Sequence, residues 1–164
     1  GDRYGVIQAA LTMGELSRQM GKYEEARHFC EQAVLVSREI GHQSGEADGH
    51  YRLGQIALSS GDAQAAQEHQ FAALELAATI QEIPLALDAL FEIAVMASQP
   101  VAPPAIALVL IWLQHQPEVG SQRVSEIADL LAKFPEEALT AAKTEAQSQT
   151  QEKIIQVIRS CFDN

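Results

Sequence analysis

Residues that match at a spacing of 40 run through the first two thirds of the chain. Met13-Gly14, Leu53-Gly54 and Ile93-Ala94 stand 40 apart, as do Gly21 and Gly61, Ala26 and Ala66, Ala33 and Ala73, Ile40 and Ile80, and Gly5 and Gly45. Self-similarity at a fixed period of this length is the mark of a solenoid. Each repeat is too small to bury its own apolar face, so neighbours must stack. Such a chain is built to offer a long surface, and the pattern points to holding a partner rather than to chemistry.

The apolar residues recur at helical spacing. Tyr4 to Met20 reads as a helix with Ile7, Ala10, Leu11 and Gly14 on the packed side, and Gly21-Lys22 breaks it. Tyr23 to Ile40 follows, with Ala26, Phe29, Cys30, Ala33, Val34 and Val36 inward and Gly41 as its stop. The segment His42 to Gly45 is read as the link, after which Glu46 to Ser60 and Ala63 to Gln81 repeat the pair. Pro84 opens a third pair, whose first helix reaches about Ser98. The prolines at 100, 103 and 104 then replace the simple glycine turn.

The next helix, about Pro103 to His115, is apolar nearly all round and must be covered on several sides. The rest of the chain is the expected cover. Gln122 to Phe134, Glu136 to Gln147 and Gln151 to Phe162 read as three further helices. The expectation is an all-α chain, an α-α superhelix of about nine helices. Residues 1–115 hold three tandem helix pairs, and residues 116–164 form a C-terminal helical cap packed on them within one domain. The longest apolar run, Val101 to Leu113, is too short to cross a bilayer.

Charge narrows the partner. The formal net charge is -11. Between Arg52 and Arg123 stand seven acids and no Lys or Arg. Such a stretch repels phosphate, which argues against nucleic acid and against an anionic membrane surface. A basic partner fits, although a solvated acidic face is the plainer reading. The two cysteines, Cys30 and Cys161, suggest no disulfide framework, which fits a reducing, cytoplasmic setting.

Nothing in the sequence assembles a catalytic site. The histidines His28, His42, His50, His69 and His115 show no paired metal-ligand spacing. His50 falls at a repeat packing position, and His28 and His69 are read as helix-surface residues. There is no phosphate-binding glycine loop, and the expectation is no enzyme, no cofactor and no metal.

The repeat resembles the tetratricopeptide repeat. In ALTMGELSRQMGKYEEARHFCEQAV, the small residues Gly14, Ala26 and Ala33 match that family's three small positions. In HYRLGQIALSSGDAQAAQEHQFAAL, Gly54, Ala66 and Ala73 do so, with Leu53 at the large apolar position. Ala94 and Ala97 match in the third unit. The period exceeds the usual ~34 and is similar to the long variant in bacterial regulators of the STAND, AfsR and MalT-like type. There the array acts as a sensor or partner-binding arm. Gly1 to Gly5 aligns with Gly41 to Gly45, inside an inter-repeat link, so a piece of a longer array is expected, the C-terminal part of a large protein.

By that resemblance the first helix of each pair lines a concave groove. The groove positions are Gln8, Leu11, Glu15 and Arg18, then Asp48, Tyr51 and Gln55, then Asp88, Phe91 and Val95. Leu11, Tyr51 and Phe91 form a column at the repeat period. The chaperone-binding subset of the family clamps a peptide carboxylate with Lys and Asn at such positions. Leu11, Glu15, Tyr51 and Gln55 stand there instead, which argues against that clamp. The resemblance implies a protein or peptide partner. The alternative is a structural arm, for self-association or for contact with upstream domains.

Overall fold

The computed structural model describes residues 2–98 and 103–162. Among them are nine α-helices and no strand: α1 (Arg3–Gln19), α2 (Tyr23–Ile40), α3 (Gln43–Ser60), α4 (Ala63–Thr79), α5 (Ile83–Ala97), α6 (Pro104–Gln114), α7 (Ser121–Leu131), α8 (Glu136–Ala146) and α9 (Gln151–Ser160). No described helix is long and apolar enough to cross a membrane. Most of the proline-bearing joint expected before α6 lies outside the described residues. Contacts divide the chain into two compact units, Gly1–Ala89 and Leu90–Asn164.

In the first unit the chain turns back on itself in a fixed stride. Gly21, Gly41, Gly61 and Gln81 lie 20 residues apart, and all four are left-handed, with φ of 73°, 70°, 84° and 60°. At each turn the next residue closes the same bond. Lys22, His42, Asp62 and Glu82 donate their backbone N–H to the carbonyls of Ser17, Ser37, Ala57 and Ala77 at 2.8–2.9 Å. This is the six-to-one bond of a Schellman turn, which satisfies carbonyls left over at a helix end. Helix starts are capped unevenly. Asp2 and Asp62 accept from the backbone N–H of Gly5 and Ala65 at 2.9 and 3.0 Å, whereas Lys22 and His42 make no side-chain cap.

This geometry corrects the expected link. The segment His42 to Gly45 is not a four-residue connector, because α3 begins at Gln43. A Schellman turn reverses the chain within two residues, so the step between repeats is as short as the step within one. Gly45 serves a close approach instead. A Cβ there would lie 2.5 Å from His42 Nδ1 and 2.6 Å from Ser37 Oγ.

Small residues let the helices of the first unit meet. A Cβ on Gly14 would strike Cys30 Sγ, and one on Gly54 would lie 2.6 Å from Gln70 Nε2. The two sites are 40 residues apart and pair α1 with α2 and α3 with α4 in the same way. Ile7, Ala10, Leu11, Ala33 and Val36 form one buried cluster, with Ile40 against it. Ala26, Cys30, Val34, Leu53 and Ile56 form the next, with Tyr23 against it. Phe29, expected inward, is only half-buried.

In the second unit every residue of α6 from Ile106 to Leu113 is buried. Helices α7, α8 and α9 all pack on it, as an all-round apolar helix requires. They contribute Ile127, Ala142, Ala146, Ile154 and Ile158 to the core. Trp112 is buried, and its indole N–H donates to the Gln149 carbonyl at 3.1 Å.

Candidate functional site

The expected groove residues of the first unit sit on α1 and α3 as a set of internally paired polar side chains. On α1, Arg18 grips Glu15 with both arms, Nε to Oε2 at 3.0 Å and Nη2 to Oε1 at 2.9 Å. The Arg18 guanidinium holds the Glu15 carboxyl below the usual carboxylate range, against the opposing pull of burial. Arg18 Nη1 also reaches Ser59 Oγ on α3 at 3.4 Å. On α3, Arg52 donates to Asp48 at 2.9 Å, and Gln55 Nε2 donates to the Tyr51 hydroxyl at 3.1 Å. Glu15, Arg18, Asp48, Tyr51 and Gln55 are all half-buried. They are thus held in place yet reachable from solvent.

Leu11 is placed differently. It is 1% exposed and belongs to the first core cluster. In the second unit Phe91 is 5% exposed, and the Arg123 guanidinium lies 4.2 Å from its ring centroid. Arg123 also pairs with Glu92 and Glu126, each at 3.5 Å. The Phe91 face is therefore occupied by this chain's own cation. Val95 is half-buried. Of the three column residues only Tyr51 keeps a reachable polar tip.

Three groove positions at the repeat period do converge. Gln8, Asp48 and Asp88 line a recess of about 380 Å³ in the first unit, together with Ser44, Glu82 and Leu85. Ser44 Oγ donates to Glu82 Oε2 at 2.8 Å. The recess holds three carboxylates and no lysine or arginine. Ser44 and Glu82 are contributors that the repeat pattern did not single out. Their pairing joins residues 38 positions apart, close to the period, which is the signal that could have found them.

A second cluster lies on α2, α3 and α4. Arg38 donates through Nε to Glu46 at 2.6 Å and faces His50 Nε2 across 3.0 Å. His50 Nδ1 and His69 Nδ1 are 3.0 Å apart. A guanidinium only donates, so His50 Nε2 accepts and its Nδ1–H is left to donate to His69. Burial pushes the His50 imidazolium pKa down to about 4, with the His69 and Arg38 charges adding to it. Burial lowers His69 as well. His69, read from the sequence as a helix-surface residue, is thus half-buried and paired with His50.

The remaining reactive groups are structural. Burial lifts the Cys30 thiol to about 12, so no thiolate nucleophile forms there near neutral pH. Among the described residues no three His, Cys, Asp or Glu side chains are grouped to hold a metal. The second unit has an open cavity of about 1030 Å³ between α6, α7 and α8, lined by Trp112, Val124, Leu131, Leu139 and Lys143 among others.

Comparison with known proteins gives one match. The model of the family described as tetratricopeptide repeat aligns with residues 6–79, which span α1 to α4. No curated protein and no solved structure matches the chain.

Proposed function

Residues 6–79 belong to the tetratricopeptide repeat family, whose domains generally bind proteins or peptides, and from that premise we propose that a peptide segment of a partner protein docks along α1, α3 and the part of α5 within the first unit. The observation that carries this reading is the recess where Gln8, Asp48 and Asp88 meet at the repeat period. Its three carboxylates favour a segment with a lysine or arginine, in keeping with the net charge of -11. The Glu15–Arg18, Asp48–Arg52 and Tyr51–Gln55 pairs are already ordered, so little side-chain freedom remains to be lost on binding.

Tyr51 offers contact area with few rotatable bonds, and the buried Leu11 belongs to the core of the same unit. The 40-residue period supports a place for the module in the sensor arm of a larger bacterial signalling or transcription regulator, working in the cytoplasm. A displayed library of basic peptides tests the reading. Enriched peptides should bind the native chain and lose about ten-fold or more in affinity to Tyr51→Ala, with the melting temperature unchanged. Equal binding by both proteins refutes the groove. A library that yields no binder favours a structural arm instead.

A further inference from the structure

The cavity of about 1030 Å³ in the second unit differs in chemistry from the rest of the chain. Its floor is Ile111 and Trp112 of α6, and its walls are Val124 and Leu131 of α7 and Leu139 of α8. The floor residues are buried and the three wall residues half-buried, so apolar surface stands open to solvent there. Hydrogen bonds hold the floor and its edge in place. Trp112 donates its indole N–H to the Gln149 carbonyl at 3.1 Å, and Gln116 Nε2 donates to the Trp112 carbonyl at 3.0 Å. A carbonyl only accepts, so His115 donates Nδ1–H to the Ile111 carbonyl at 2.7 Å.

One charged residue, Lys143 of α8, lines the cavity, and no Asp or Glu does. In a chain with 22 acids against 11 bases this local balance is reversed. The acids of α8 lie elsewhere. Glu136 and Glu137 border a separate recess with Thr140 and Thr144, and Glu145 accepts from Gln149 Nε2 at 3.2 Å. Lys143 is exposed and has no hydrogen bond or ion pair among the described residues, whereas Arg18, Arg38, Arg52 and Arg123 are all paired. A largely apolar cavity of this size with a few polar groups at its edge is the usual form of a small-molecule site. We propose that it binds an amphipathic carboxylic acid, with an aliphatic chain against Val124, Leu131 and Leu139 and the carboxylate on Lys143. The site uses none of the groove residues and lies outside residues 6–79, so its test is independent of peptide docking.

Trp112 is the chain's single tryptophan, so its fluorescence reports on the site. Decanoate, titrated at physiological salt and well below its micellar range, should change that fluorescence and saturate at one equivalent. Decanol carries a chain of the same length without the charge. Lys143→Gln should weaken decanoate about ten-fold, as loss of a charged hydrogen bond implies, and leave decanol binding as it was. Lys143→Glu should go further and make the cavity prefer decylammonium to decanoate. Both variants should keep the native melting temperature, since Lys143 is exposed. A tryptophan signal that does not respond, or that drifts without saturation, overturns the proposal. So does an equal loss of decanoate and decanol in Lys143→Gln, or no loss of either. A dimer in sedimentation that Lys143→Glu dissolves also overturns it, by assigning the cavity to a second copy.

Discussion

Gly54 and Gln70 show how one missing methyl sets the distance between two helices. Gln70 is 0% exposed and donates to the Tyr51 carbonyl at 3.3 Å, so it has nowhere to retreat from a new Cβ. Gly54→Ala should destabilise the chain by about 1 kcal/mol, the overpacking cost less the helix propensity that alanine restores. Adding Gln70→Ala should recover much of the loss, and a double-mutant cycle by urea unfolding reads the coupling. His50 gives a second expectation. Its folded pKa of about 4 lies below the unfolded 6.5, so the unfolded chain takes up the proton first. Stability is then full above about pH 6.5 and falls as the pH drops toward about 4. His50→Gln should flatten that fall by about 1–3 kcal/mol. Urea midpoints at pH 7 and pH 4.5 measure it, with Glu46, Arg38 and His69 kept in both proteins. Gly14 and Cys30 lie eight residues either side of position 22, and Gly54 and Gln70 eight either side of position 62. Such mirror pairs are legible in a sequence once the turns are known. His50 and His69 lie twelve and seven residues from position 62, and their meeting depends on how two long side chains lean.

The helices themselves are written in the local pattern, and their ends depend on turn chemistry. The boundaries of α2 follow from its glycines and periodicity alone. Those of α3 do not, because Gly45 looks like a link until its closeness to His42 and Ser37 is seen. The fourth turn is the informative exception. Gln81 holds φ 60° where three glycines precede it at the same stride, and a left-handed residue with a Cβ costs roughly 1–2 kcal/mol. Gln81→Gly should therefore stabilise the chain by about 0.5–1 kcal/mol, after allowance for the freer unfolded glycine. Thermal melts of the two proteins decide it, and a lower midpoint for the variant would remove the strain argument. The cover over α6 was likewise demanded by composition, since eight consecutive buried residues cannot face water. Which helix contributes what was not, as α7 gives the core only Ile127.

At the scale of the molecule, charge was readable at once and the arrangement of the candidate groove only in part. With seven acids and no Lys or Arg between Arg52 and Arg123, the chain should fail to retard a duplex DNA or an RNA hairpin in a gel at physiological salt. Saturable retardation would show a cationic surface that the sequence does not contain. The polar groove pairs follow from three- and four-residue spacing along α1 and α3, which a sequence displays. The loss of Phe91 to Arg123 joins residues 32 apart in the second unit, beyond any helical period, so no local pattern announces it. The left-handed turn every 20 residues has a consequence for how such a chain can change in length. Adding or removing one stride would preserve the reversal but exchange the first helix of each pair for the second, and every small residue would then meet the wrong neighbour. Two strides restore both. The fold thus has a quantum of growth, and insertions within its helices should survive only in multiples of it.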